Sequence, residues 1–157
     1  MTGQPPATLP APEAASLLMW ALETLASVVD VPVDPLQATR QWLQAATGRL
    51  QASGFESGCP LATIALETTA ADTALRQALA RAFDRVRRRL AQALTSAGHD
   101  TSRADALAAL IVSAYEGGLL QARVAHSTDP LNRVTDALLD LLAPVARPDS
   151  PATGATP

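Results

Sequence analysis

Five aromatic side chains are spread along this sequence, Trp20, Trp42, Phe55, Phe83 and Tyr115, and they are the residues best suited to surround a ligand. A small-molecule site is concave and mostly apolar, with a few polar groups to orient its guest. Tyr115 meets both needs, because a buried phenol seeks a hydrogen-bond partner, and Thr63 adds a second hydroxyl. These six residues form the candidate ligand-binding set. The same rings also suit plain core filling. Cys59, the only cysteine, excludes an intramolecular disulfide and a multi-cysteine metal site. Beside Pro60 it is either a redox or electrophile sensor or a small buried hydrophobe.

Reaction machinery does not accompany these groups. His99 and His126 bracket a helical stretch and stand roughly 40 Å apart at 1.5 Å per residue, too far to share a metal ion within one chain. Glu56, Glu67 and Glu116 lack a paired histidine or a second carboxylate at a telling spacing. There is no glycine-rich phosphate loop and no nucleophile elbow. The pattern points to binding rather than catalysis, with no metal or cofactor.

The element that must position the candidate groups is the stretch 101–126, TSRADALAALIVSAYEGGLLQARVAH. At 3.6 residues per turn its apolar residues, among them Leu107, Leu110, Ile111, Leu119, Leu120 and Val124, fall on every side, which predicts a central helix covered all round. Ser102, with Asp105 three residues on, fits a capping box, and Thr101 is an alternative N-cap. Ala114, Gly118 and Ala122 recur every four residues beside Gly117, leaving a stripe with almost no side chains. Such a stripe admits another helix, from the same chain or across a dimer, or leaves a gap for a ligand. Two adjacent glycines cost about 0.5–1 kcal/mol each relative to alanine, so packing or binding must offset them.

Helices are expected on either side. Residues 1–12, rich in proline and small residues, predict a disordered lead-in, and 13–30 a helix with a broad apolar face. Asp34-Pro35 opens a helix running to about Ser53, with Leu36, Leu43, Ala46 and Leu50 as its seam and Arg40, Gln44 and Arg49 facing water. After the glycine-punctuated loop 54–60, Pro60 starts a short apolar helix, and Asp72 caps another that extends to about Ser96, where Gly98 breaks it. Asp129-Pro130 repeats the cap-plus-proline device and launches a last helix whose Leu131, Val134, Leu138 and Leu141 follow a 3-4-3 seam. Residues 146–157 have tail composition. The expected architecture is all-α, about six helices in one domain over 13–145.

Composition bounds the function classes. Apolar residues make up 48% of the chain, much of it alanine, which favours helices. No apolar run reaches the roughly 18 residues of a membrane span, and no signal-peptide n-region is visible, so a cytoplasmic protein with no membrane partner is expected. A formal charge of −3 argues against a stand-alone nucleic-acid binder. The basic cluster Arg85, Arg87, Arg88 and Arg89 fits a solvated helix face.

The stretch GFESGCPLATIALE at 54–67 resembles part of the ligand-binding domain of TetR-type transcriptional regulators, in the branch that includes the LmrA and YxaF repressors. LRQALARAFDRVRRRLAQAL at 75–94, ADALAALIVSAYEGGLLQARV at 104–124 and the closing leucine-rich helix follow in the order of that domain. The similarity covers about 34–143, and less distinctly 13–30. It is most specific in Gly58-Cys59-Pro60 combined with Glu116-Gly117-Gly118.

The resemblance implies an effector-binding and dimerisation domain whose last two helices form a four-helix bundle with a twin subunit. Ala114, Gly118, Ala122, Val134, Leu138 and Leu141 are the expected homodimer interface, and a small lipophilic molecule is the expected effector. Relatives of this type read DNA with an N-terminal helix-turn-helix domain. Here the corresponding stretch is only 1–12, and 13–30 resembles what remains of the connecting helix, so DNA is an expected partner only if such a domain is present. The alternative expectation is a stand-alone helical module that heterodimerises with a full-length regulator.

Overall fold

Helix α1, Pro35–Ala52, begins as its sequence dictates: Asp34 Oδ1 accepts the Leu36 N–H at 3.2 Å, and Pro35 occupies a first-turn position where no amide bond is lost. In the computed structural model residues 34–143 are described, and the five helices they form are accompanied by no strand among the described residues. The expected lead-in 1–12, the helix over 13–30 with Trp20, and the tail 146–157 lie outside the described residues. Trp42, Leu43, Ala46 and Leu50 turn one face of α1 inward, while Arg40, Gln44 and Arg49 are exposed. The helix ends at Gly54, whose φ of 65° brings the Phe55 N–H to the Leu50 carbonyl at 2.9 Å.

Helix α2, Pro60–Glu67, starts at its proline and buries Leu61 and Ile64. Helix α3, Thr73–Ser96, starts where expected but is capped differently. The Asp72 carboxylate turns back to accept the Thr69 N–H at 2.8 Å and its hydroxyl at 2.7 Å, closing the preceding turn instead of the helix. Gly98, at φ 97°, ends α3.

Helix α4, Thr101–Ala125, also corrects its expected cap: neither Ser102 nor Thr101 serves, and Asp100 Oδ1 accepts the Arg103 N–H at 3.0 Å. Asp100 lies one residue nearer the extended backbone, with ψ 153°, where an N-cap belongs. Helix α5, Asp129–Leu142, places Asp129 inside the helix and Thr128 in the cap position.

Packing follows from α4. Helices α3 and α5 both pack chiefly on it, and α1 packs across α5 and α4. Leu43, Leu50, Leu61, Ile111 and Leu131 are the largest fully buried side chains, each worth about 1.5–3 kcal/mol of burial. The expectation that α4 is covered all round is not met. Its neighbours bury Leu107, Ile111, Val112, Tyr115, Gly118, Leu119 and Ala122, but Leu110, Leu120 and Val124 are 46%, 59% and 77% exposed.

The inward face of α5 is also rotated from the expected seam. Leu131, Thr135, Leu138, Leu139 and Leu142 are buried, whereas Leu141 is 42% exposed and Val134 half-buried. Thr135 tolerates burial because its hydroxyl donates to the Leu131 carbonyl at 2.9 Å. Among the described residues no helix is long and apolar enough to cross a membrane.

Candidate functional site

Two of the six proposed ligand residues meet. Trp42 on α1 and Tyr115 on α4 stack with ring centroids 4.4 Å apart and planes tilted by 40°, and both are buried. Such ring pairs contribute about 0.5–1.5 kcal/mol beyond their buried area. Helical spacing makes the meeting legible in retrospect: Trp42, Ala46 and Arg49 share one face of α1 at i, i+4 and i+7, so Arg49 follows Trp42 toward Tyr115. The Arg49 charge stands near enough to the Tyr115 hydroxyl to favour the phenolate. Burial nonetheless holds the phenol above its ordinary value of 10.0.

A second polar pair adjoins the first. Cys59 sits in the cap position of α2 with no side-chain hydrogen bond to cap it, and its thiol lies beside the Glu116 carboxylate. Burial first, and the Glu116 charge second, push the thiol up from 9.0 to about 12, so it is a protonated, poorly nucleophilic cysteine. Glu116 is raised above its ordinary 4.5 by burial, an effect that the neighbouring Cys59 thiol opposes. No buried side-chain nitrogen or oxygen among the described residues lacks a hydrogen-bond partner. Two ionisable pairs thus converge beside an aromatic stack where α1, the start of α2 and α4 come together.

The other candidates lie apart from this stack. Phe55 is half-buried at φ 66° and faces the His126 ring at 5.7 Å, near the far end of α4 and about 16 Å along the helix from Tyr115. Thr63 is exposed, and its hydroxyl donates within α2 to the Cys59 carbonyl at 3.0 Å. Phe83 is half-buried on α3 against the core. Trp20 lies outside the described residues. Arg49 and Glu116 were not among the candidates; an acid directly after Tyr115 within so apolar a helix was the available signal. No group of three or more metal-ligating side chains occurs among the described residues.

The six proposed interface residues also divide. Gly118, Ala122 and Leu138 are buried within the protomer, Ala114 and Val134 are half-buried, and Leu141 is exposed. The small-residue stripe is filled by α5 of the same chain: a methyl group added at Gly118 would stand 3.1 Å from both Leu131 Cδ1 and Val134 Cγ2. The outward apolar stripe of α4 is a different one, Leu110, Gly117, Leu120 and Val124, spaced at i, i+7, i+10 and i+14.

Comparison with known proteins fits this architecture. The family described as "Transcriptional regulator LmrA/YxaF-like, C-terminal domain" matches residues 35–137. Two Mycobacterium tuberculosis proteins, uncharacterized HTH-type transcriptional regulators of two strains, are each 31% identical over 128 residues, covering 78% of this chain. The chain spans 66% of the length of those relatives. The crystal structure of regulatory protein TetR from Rhodobacter sphaeroides superposes with a TM-score of 0.69 at 25% identity, over 81% of this chain and 70% of that one. With the five helices of its described residues in this order and a family match running from the start of α1 into α5, the chain belongs to the LmrA/YxaF-like C-terminal domain family of transcriptional regulators.

Proposed function

We propose that this domain binds a small lipophilic effector at the Trp42–Tyr115 stack and pairs with a second copy of itself through α4 and α5. The observation that carries the binding half is the convergence of Arg49, Cys59, Glu116 and the Tyr115 hydroxyl on two buried rings. An apolar surface with a few directed polar groups is what a small-molecule site requires. Binding there would bias α1 against α4, and in a protein that also carries a DNA-reading domain the effector would act by favouring one of two conformations.

Support for the pairing half is the exposed face built from Leu110, Leu120 and Val124 of α4 and Leu141 of α5. Apolar residues at helical spacing and open to solvent mark an interaction surface, and a two-fold pairing would place the same patch on both partners. The interface proposed here therefore moves outward from Gly118 and Ala122 to that face, keeping Leu141 and the half-buried Val134.

The test is a thermal-shift screen of planar lipophilic compounds against the wild type and Trp42→Ala. Stabilisation that disappears with the tryptophan supports the site; hits of equal size on both proteins reject it. Light scattering on Leu120→Glu tests the pairing. A folded monomer is expected, and an unchanged dimer would place the interface elsewhere.

A further inference from the structure

Residues 81–89, RAFDRVRRR, hold five arginines against one aspartate in a chain whose formal net charge is −3. Arg81, Arg85 and Arg88 fall within about 60° of one another around α3 at 3.6 residues per turn, and all three are exposed. They lie opposite the face that buries Leu79, Ala82, Leu90 and Leu94, so the guanidiniums point away from the protomer. Asp84 meets the row from its side, 3.9 Å from Arg87 and 2.6 Å from Arg88. Arg81 and Arg85 have no ion-pair partner among the described residues.

Helix α5 carries the complement. Asp129, Asp136 and Asp140 fall within about 40° of one another, all exposed, opposite the face that buries Leu131, Leu138 and Leu142. They too lack an ion-pair partner among the described residues, and Arg133 is the one cation in their row. Both helices pack chiefly on α4 and turn their charges outward. Arg81 and Arg85 share with Asp136 and Asp140 the same i, i+4 step, about 6 Å along either axis.

We propose that the arginine face of α3 docks on the aspartate face of α5 of another copy of this chain, with Arg81 and Arg85 set against Asp136 and Asp140. The parallel register is the favourable one, because the antiparallel register brings Arg88 against Arg133. The two faces differ, so each copy keeps one open face of each kind, and the contact adds copies in series beyond the α4 and α5 pairing. Exposed ion pairs are individually weak and screened by salt, so the association belongs to low ionic strength and high local concentration. It does not depend on effector binding.

The test is sedimentation of the full chain across a range of concentration and salt, with two variants, Arg81→Asp/Arg85→Asp and Asp136→Arg/Asp140→Arg. The wild type is expected to grow in average mass with concentration at low salt and to fall back to a fixed species at high salt. Each variant alone presents two faces of one sign and is expected to lose this growth by at least about tenfold in association constant. An equimolar mixture of the two variants restores both kinds of contact and is expected to regain it. Circular dichroism confirms that each is folded. A wild type of constant mass at every salt, variants that associate like it, or a mixture that stays dissociated would each overturn the proposal.

Discussion

Gly118 on α4 lies so close beneath Val134 on α5 that a methyl group in place of its hydrogen would sit 3.1 Å from Val134 Cγ2. A methyl group at its neighbour Gly117 would meet nothing within 4 Å. Two glycines adjacent in sequence thus do different work, one permitting helix contact and the other lying open.

The pair predicts opposite signs for one substitution. Gly118→Ala presses a methyl group against the Leu131 and Val134 side chains, which must give by a few tenths of an ångström, and should destabilise by about 1–3 kcal/mol, even though alanine gains up to about 1 kcal/mol in helix propensity. Gly117→Ala keeps the propensity gain alone and should stabilise by about 0.5–1 kcal/mol. Urea unfolding of both measures this. Equal effects would mean that α5 does not rest on Gly118, and a Gly117→Ala protein that loses its twin would place the partner's surface over that glycine.

Capping of α4 offers a second contrast. Asp100→Ala removes the acceptor of the Arg103 N–H and should cost about 0.5–2 kcal/mol. Ser102→Ala removes an exposed hydroxyl that makes no cap bond and should fall within about 0.5 kcal/mol of the wild type. Thermal unfolding of the two separates them, and a larger loss at Ser102 would restore the capping box that its sequence suggests.

What the sequence revealed was decided by periodicity. Asp34-Pro35, the leucine face of α3 and the break at Gly98 were each readable because a local rule determines them. The six candidate side chains have only their polar or aromatic type in common, and type alone does not say which of them meet. Trp42 and Tyr115 meet because α1 crosses α4, a relationship between residues far apart in the chain. The charge of Arg49 predicts a solvent-facing residue, and it is exposed, yet its charge also acts on the Tyr115 hydroxyl. The α5 seam was misplaced because Thr135 counts as polar in a pattern but satisfies itself against Leu131 once folded.

Glu116 makes stability depend on pH. Its folded value lies above the ordinary 4.5 because burial disfavours the carboxylate, so between those two values the folded state holds more proton than the unfolded one. Stability therefore falls as pH rises through that window, and the loss is complete above the folded value. Glu116→Gln removes the titration and keeps a side chain of nearly the same shape beside the Cys59 thiol. The variant should gain on the wild type as pH is raised from 4 toward 7 and then run parallel to it. A gap between the two that stays constant over that range would show that Glu116 ionises freely.

Alkaline pH isolates the cysteine in the same way. Cys59 is held up from 9.0 to about 12, and a raised acid contributes a stability loss that begins above the unfolded value. Between about pH 9 and 12 the unfolded chain gains a thiolate that the folded one refuses, which pulls the equilibrium toward unfolding. Cys59→Ala abolishes that contribution, at the cost of a small cavity that is independent of pH. Chemical unfolding at pH 8 and pH 10 should therefore show the alanine variant losing less stability between the two conditions than the wild type. Tyr115 is raised in the same direction chiefly by burial, which both proteins share, so most of its contribution cancels from the comparison; only the smaller part due to the Cys59 charge leaves with the cysteine. Equal losses would mean that the Cys59 thiol is open to solvent and to reaction with a maleimide, contrary to its 7% exposure.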